Sequence, residues 1–247
     1  MATYMLPCYY SKAPSNFCAR QDRTRHKSET RGVLIDTSPH QKNVIEFERE
    51  VVSSITDRLD GFGAESFVIG YANEVNLLQD WSPLETGLKK ASTQIDLEVE
   101  GGENGRTLLN DALKAALLKL EARNGSDSKA LIVIGEGNDL GSTTKYSQVK
   151  KLARSGHVQC FALLVASHDL IGGRVRHFGF DLYDLAGATK GSAYDVGASR
   201  THLDKAVNDM LKRVISSIRL SSSPADNQSV LNESSGFGTA YSEVPLV

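Results

Sequence analysis

The sequence predicts an α/β domain with a doubly wound, mostly parallel sheet that has helices on both faces and one antiparallel strand at its edge. Short apolar segments that end at polar turns alternate along the chain with longer segments of helical periodicity. That alternation is typical of parallel strands buried between two layers of helices. Two strand-like segments, at 66–71 and 75–78, are separated by only three residues. A link of this length is too short for a parallel crossover and therefore indicates an antiparallel hairpin.

The predicted elements lie in order along residues 31–220, which we interpret as one domain. Apolar runs bounded by turn residues predict six strands, at 33–35, 66–71, 75–78, 130–134, 158–165 and 192–196, the last as an edge strand. Apolar residues at helical spacing predict helices at 44–59, 108–122, 146–153, 182–186 and 202–218. One more helix is predicted to have Pro83 in its first position, where proline is favoured. Cys160 falls within an apolar run, so we expect it in the core as a free thiol.

The composition, with 40% hydrophobic and 23% charged residues, is that of an ordinary globular protein, and the net charge of −2 indicates neither nucleic acid nor an acidic membrane as partner. No apolar run reaches the roughly 18 residues that span a bilayer. Residues 1–30 are polar and irregular, and we interpret them as a leader without the pattern of a signal peptide. Residues 221–247 are rich in Ser, Asn and Gly, which predicts a disordered tail. Cys8 and Cys18 are expected to be free thiols, with a bridge between them as the alternative for an exported protein.

Oxygen-bearing side chains occur in three separate loops that the predicted fold would bring together. Asp36 and Ser38 follow the strand at 33–35, with His40 two residues further on, Thr107 directly precedes a helix, and Glu136 follows the strand at 130–134. In open parallel sheets, ligands bind beyond the carboxyl ends of the strands, near the point where the strand order reverses. Carboxylate and hydroxyl oxygens, with some retained water, are the ligands that Mg²⁺ prefers. The sequence therefore predicts a candidate site for Mg²⁺ or Mn²⁺ at this edge of the sheet.

The three loops resemble those of the von Willebrand factor A family. The matching segments read IDTSPH at 35–40, GRTLLNDAL at 105–113 and LIVIGEGNDLGS at 131–142. The family has Asp-x-Ser-x-Ser after its first strand, a Thr before a central helix and an Asp after its fourth strand. The resemblance covers residues 31–218 and is nearest to a bacterial group described from acidobacteria. It implies a Rossmann-like fold and a metal-ion-dependent adhesion site, where a carboxylate from a protein ligand completes the coordination of the ion.

Two residues depart from the pattern that this resemblance implies. Asp36, Ser38 and Thr107 match it, but His40 stands where the family has its second serine, and Glu136 stands where it has aspartate. An imidazole removes a hard oxygen ligand and favours metals such as Zn²⁺ over Mg²⁺. Three interpretations stay open: the site binds Mg²⁺ or Mn²⁺ weakly, it has lost the ion and binds partners without it, or His40 has adapted it to another metal. Our hypothesis is that the ion is lost or weakened.

The sequence favours a non-enzymatic protein-binding module over an enzyme. Asp36, Ser38 and His40 have the residue types of a hydrolase, but neighbours on one loop rarely form a catalytic triad, and no Gly-x-Ser-x-Gly motif is present. No glycine-rich phosphate-binding motif follows the first strand. The alternatives are a divalent-metal-dependent ligand-binding domain, an assembly protein whose loop face binds nothing, and a nucleotide-binding or hydrolytic α/β enzyme. Location and oligomeric state stay open, although the resemblance is to bacterial domains that are often exported.

Overall fold

The computed structural model describes residues 28–59, 64–95, 105–123, 126–165, 179–197 and 199–221. The predictions made for the disordered tail, for the Cys8–Cys18 pair and for most of the leader lie outside these described residues. The remaining ranges contain all of the candidate site residues.

A six-stranded sheet forms the centre of the domain. Its strands are β1 (Ser28–Asp36), β2 (Glu65–Tyr71), β3 (Val75–Pro83), β4 (Ser126–Gly135), β5 (Val158–Leu164) and β6 (Ser192–Asp195). Their order across the sheet is β3-β2-β1-β4-β5-β6. Only β3 is antiparallel to its neighbour, and β6 is a parallel edge strand. The predicted fold class is confirmed, and the strand order reverses between β1 and β4.

Helices cover both faces of this sheet. They are α1 (Ile45–Leu59), α2 (Leu84–Ser92), α3 (Leu109–Ala122), α4 (Tyr146–Ser155), α5 (Phe180–Ala188) and α6 (Arg200–Ser221), and a short 3₁₀ helix spans Pro39–Gln41. In β1, Val33 and Ile35 pack into the apolar cluster beneath α1, α2 and α6. Leu34 points to the opposite face and packs into the cluster beneath α3, α4 and α5. This alternation explains why the run at 33–35 is apolar without interruption.

Several element ends differ from the predicted ones because strand pairing overrides local sequence signals. β3 continues as far as Pro83, which pairs with Glu65, so the next helix begins only at Leu84. A proline without an N–H group is tolerated there because β3 is an edge strand. β1 begins at Ser28, inside the segment interpreted as leader, and α5 begins at Phe180 rather than 182. Cys160 is buried on β5 as a free thiol, as predicted.

The close packing of Gly191 against β5 provides a first test of the fold. A Cβ atom at residue 191 would overlap the backbone carbonyl of Cys160, whereas a Cβ atom at Gly187 in α5 would have nothing within 4 Å. We expect Gly191→Ala to destabilise the domain by about 3 kcal/mol, the upper range for overpacking. Gly187→Ala is the matched control and should stabilise by about 0.5–1 kcal/mol through its helix propensity. Urea unfolding of both variants measures the difference, and equal midpoints would contradict this packing.

Candidate functional site

The last residue of β1 carries the central carboxylate of the candidate site. Asp36 is only 1% exposed. Its Oδ1 atom accepts a hydrogen bond from the backbone N–H of Ser38 at 3.0 Å, and its Oδ2 atom accepts one from Nε2 of Gln41 at 3.3 Å. Pro39 pre-organises the 3₁₀ helix that places Gln41 beneath the loop. The local sequence after β1 therefore fixes the direction in which Asp36 points.

The ends of β2 and β4 pack closely around Asp36. The backbone N–H of Thr37 donates to the carbonyl of Tyr71 at 3.0 Å. Gly135, the last residue of β4, has a φ of 146°, and a Cβ atom there would collide with Asp36 and lie 3.0 Å from Oη of Tyr71. A glycine is required at this position because both the backbone conformation and the space exclude a side chain. The carboxyl ends of three neighbouring strands thus meet at one carboxylate.

The second and third loops are joined by a short antiparallel bridge. The N–H of Thr107 donates to the carbonyl of Leu140 at 3.2 Å, and the N–H of Leu140 donates back at 2.8 Å. Thr107 is 2% exposed. The bridge holds Thr107 against the loop that follows β4, which also contains Glu136.

Two aspartates clamp this third loop onto the start of α3. Oδ1 of Asp139 accepts from the N–H of Asn110 at 3.0 Å, in the first turn of the helix. In return, Asp111 accepts from the N–H groups of Thr143 at 3.0 Å and Thr144 at 2.9 Å. A carboxylate at a helix N-terminus is stabilised by the unpaired N–H groups and by the helix dipole. The clamp holds the loop after β4 in place, and the sequence analysis did not identify it.

His40 connects the first loop to the second but does not point at Asp36. Its side chain is exposed, and its Nε2 atom lies 3.2 Å from the carbonyl oxygen of Gly105. A carbonyl only accepts hydrogen bonds, so Nε2 carries the hydrogen in this contact. The structure therefore assigns His40 a role in joining the loops.

Neighbouring negative charges make ionisation of the carboxyl groups at this edge less favourable. Burial raises the pKa of Asp36 to about 6, hydrogen bonds from Ser38 offset part of that rise, and the charge of Glu136 adds to it. Glu136 is half-buried in the loop after β4. Asp36, Ser38 and Glu136 are thus brought together, with Thr107 in the adjoining loop.

A further carboxylate, which was not predicted from the sequence, lies beneath the loops of the site. Glu48 in the first turn of α1 is 0% exposed, and neither of its carboxylate oxygens has a hydrogen-bond partner. Burial raises its pKa well above the usual range, and the charges of Asp36 and Glu136 raise it further. A sequence signal was present, since Glu48 lies four residues after Val44 and four before Val52, in the apolar stripe of the helix.

The donor set of this edge fits a hard divalent cation. Four residues that bond Asp36, lie beside it or interact with its charge have buried oxygen atoms without a hydrogen-bond partner. These atoms are Oγ of Ser38, Oε1 of Gln41, both Oε atoms of Glu48 and Oη of Tyr71. Within the described ranges, no three His, Cys, Asp or Glu side chains form a metal-binding group. The loop motifs name Asp36, Ser38 and Thr107 as the residues that would hold such an ion, with water completing its coordination. The ion would supply a fixed positive charge to an incoming acidic ligand.

Solved structures share this fold at low sequence identity. No family model and no curated protein matches the sequence. An aerotolerance-related membrane protein from Bacteroides fragilis matches with a TM-score of 0.60 and 16% identity, over 76% of this chain and 99% of that chain. BatB from Bacteroides thetaiotaomicron matches at 0.55 and 17%, over 76% and 99%. A von Willebrand factor type A structure from Catenulispora acidiphila matches at 0.59 and 14%, over 76% and 43%.

These likenesses and the strand order show that the chain has the von Willebrand factor A fold, as the three loop motifs predicted. At such identities they establish the fold alone, and the resemblance to the acidobacterial group stays a prediction. No helix among the described residues combines the length and the apolar character that crossing a membrane requires.

The clamp between α3 and the third loop predicts a pH-dependent contribution to stability. Burial opposes ionisation of Asp111, but hydrogen bonds from Thr144 and Thr143 outweigh it and hold its pKa below the usual range. Because the folded pKa lies below the unfolded one, this stabilisation is present above about pH 4 and is lost as the pH falls through the folded pKa. We expect Asp111→Asn to cost about 1 kcal/mol at pH 6.

Urea unfolding of wild type and Asp111→Asn between pH 3 and pH 7 measures this contribution. The difference between the two proteins should shrink towards the acid end of the series. The exposed and unclamped Glu74 provides the control substitution Glu74→Gln, which should show no such trend. A difference for Asp111→Asn that stays constant with pH would mean that the carboxylate charge does not stabilise the clamp.

Proposed function

We propose that the chain is a non-enzymatic protein-binding module whose binding face is formed by the loops at the carboxyl ends of β1 and β4. The observation that carries this proposal is the presence of large exposed apolar side chains beside the buried polar site. Leu140 is 48% exposed and Phe180 is 76% exposed. Exposed apolar groups next to a polar centre are typical of surfaces that bind another protein.

Both apolar residues border the loop that carries Glu136. Leu140 is bonded through its backbone to Thr107. Phe180 directly follows Gly179, whose Cα atom would lie 2.8 Å from a Cβ atom at Gly137. The apolar rim, defined as Leu140 and Phe180, therefore flanks the candidate ion site. A partner that contacts the rim would also reach the site.

We propose that the face retains an altered ion site, in which Asp36, Ser38 and Thr107 hold Mg²⁺ or Mn²⁺ and Glu136 assists through water. The hydrogen bond between His40 and Gly105 supports weak binding or loss of the ion over adaptation to another metal through His40. Loss of the ion is the alternative, in which the rim and the neutral hydroxyls bind the partner alone.

The geometry of the first loop supports binding over hydrolysis. Oγ of Ser38 is buried and has no hydrogen-bond partner. His40 bonds Gly105 and not Ser38. A serine nucleophile requires a base within hydrogen-bond reach, and this loop does not provide that pair.

Substitutions in the rim test the proposed face. A partner captured on the immobilised wild-type chain would be purified, and its affinity for each variant measured by biolayer interferometry. We expect Leu140→Ser and Phe180→Ala each to weaken binding at least about 10-fold, as loss of a buried apolar contact does. Leu77→Ser is the matched control, because Leu77 is 50% exposed but lies on the edge strand β3. Equal affinities for all three variants would overturn the proposed face.

The ion site is tested separately with a Ser38→Ala/Thr107→Ala double variant. If the ion takes part, partner binding by wild type should fall on addition of EDTA, and the double variant should bind as wild type does in EDTA. If the ion is lost, EDTA should leave wild-type binding unchanged while the rim variants still weaken it. A double variant that binds as wild type does in Mg²⁺ would exclude these two hydroxyls from the binding surface.

A further inference from the structure

We propose that Glu48 is an additional carboxylate ligand of the ion site put forward above, one that the loop motifs do not contain. The cation pocket is defined here by Asp36, Ser38, Gln41, Glu48 and Tyr71. The inference rests on the ion site of the proposed function but does not require that a protein partner binds there.

The distribution of buried polar atoms without partners gives the first reason. Eight such side-chain atoms occur among the described residues, and five of them belong to Ser38, Gln41, Glu48 and Tyr71. All five are oxygens. Ser38 and Gln41 bond Asp36, Tyr71 lies beside it at Gly135, and the charge of Asp36 acts on Glu48, so these oxygens belong to one region. Buried polar groups in native proteins are nearly always paired, so such a group of unpaired oxygens indicates a shared ligand. A cation is a partner that all five oxygen atoms could share.

The chemistry of Glu48 itself gives the second reason. An ionised carboxylate that is fully buried without a counter-charge is very costly. A neutral carboxyl group would instead need an acceptor for its O–H group, and neither oxygen of Glu48 has any partner. Neither form of Glu48 is therefore satisfied by the protein alone. A bound cation satisfies the ionised form directly.

The charges around Glu48 give the third reason. Asp36 and Glu136 are the two charged groups that act most strongly on it, and both are acidic. None of the ion pairs between described residues involves Asp36 or Glu48. Among the described residues, therefore, neither of these two carboxyl groups has a lysine or arginine partner. A divalent cation compensates this charge more completely than a water molecule does.

The chemical class of the cation follows from the donor atoms. The pocket offers carboxylate, hydroxyl and amide oxygens, whereas Nε2 of the exposed His40 is hydrogen-bonded to the carbonyl of Gly105. Oxygen donors suit Mg²⁺, Ca²⁺ and Mn²⁺, whereas Zn²⁺ sites usually contain nitrogen or sulfur. Mn²⁺ is a practical probe because its free form is measured directly by electron paramagnetic resonance.

The test compares Mn²⁺ binding by wild type and Glu48→Gln, which keeps the size of the side chain and removes its charge. We expect the dissociation constant for Mn²⁺ to rise at least about 10-fold, and the Mn²⁺-induced increase in Tm to shrink accordingly. Glu46→Gln is the matched control, since Glu46 lies on the same helix but its side chain is 78% exposed and paired with Arg49. It should bind Mn²⁺ as wild type does.

Glu48→Met is a second variant that fills the same space with an apolar side chain, and it keeps the test informative if Glu48→Gln does not fold. Unchanged Mn²⁺ affinity in either folded variant would overturn the proposal. So would a wild-type chain that binds none of Mn²⁺, Mg²⁺ or Ca²⁺ at millimolar concentration. Neither result would affect the proposed protein-binding face, because weaker binding by the rim variants is measured independently.

Discussion

The close approach of β4 to β1 at Gly135 is the constraint on which the rest of the site depends. Adjacent parallel strands leave little room between their ends, and a side chain at this position would displace Asp36. Because the strand order reverses between these two strands, their connections diverge to opposite faces of the sheet. The space left above Asp36 is then enclosed by loops from both sides. A buried carboxylate and a shallow polar edge follow directly from this topology.

Backbone hydrogen bonds add to the side-chain contacts that hold the loops around that edge. Thr107 and Leu140 exchange both of their backbone hydrogen bonds. Leu108 donates from its backbone to Ala72, which ties the second loop to the turn between β2 and β3. Contacts of this type depend little on residue identity. The loop arrangement can therefore persist when residues within it change, as they do at His40 and Glu136.

The sequence predicted the sheet well because its strands are buried on both faces. The uninterrupted apolar run at 33–35 indicates a strand that is buried on both faces of the sheet. The three-residue link before β3 allows only an antiparallel hairpin. The end of β3 was less predictable, since Pro83 signals a helix start locally and its pairing with Glu65 is set by tertiary structure. Local sequence signals of this kind predict the type of an element more reliably than the residue at which it ends.

The site was only partly predictable for a related reason. Four candidate residues lie at or near the end of a strand or helix, so predicting those elements is enough to locate them. They are Asp36, Ser38, Thr107 and Glu136. His40 contacts a carbonyl that lies 65 residues away, and no local pattern indicates such a contact. Glu48 was missed for another reason. Charged and apolar residues alternate along α1, so one buried acid is hard to distinguish in the sequence from the exposed ones.

The reciprocal clamp between Asp139 and Asp111 makes the third loop and the start of α3 a single mechanical unit. Two backbone hydrogen bonds to Thr107 add to it, so the loop cannot swing outward unless the first turn of the helix also opens. Amide hydrogens of the loop should then exchange with solvent together with those of that turn, as one cooperative opening.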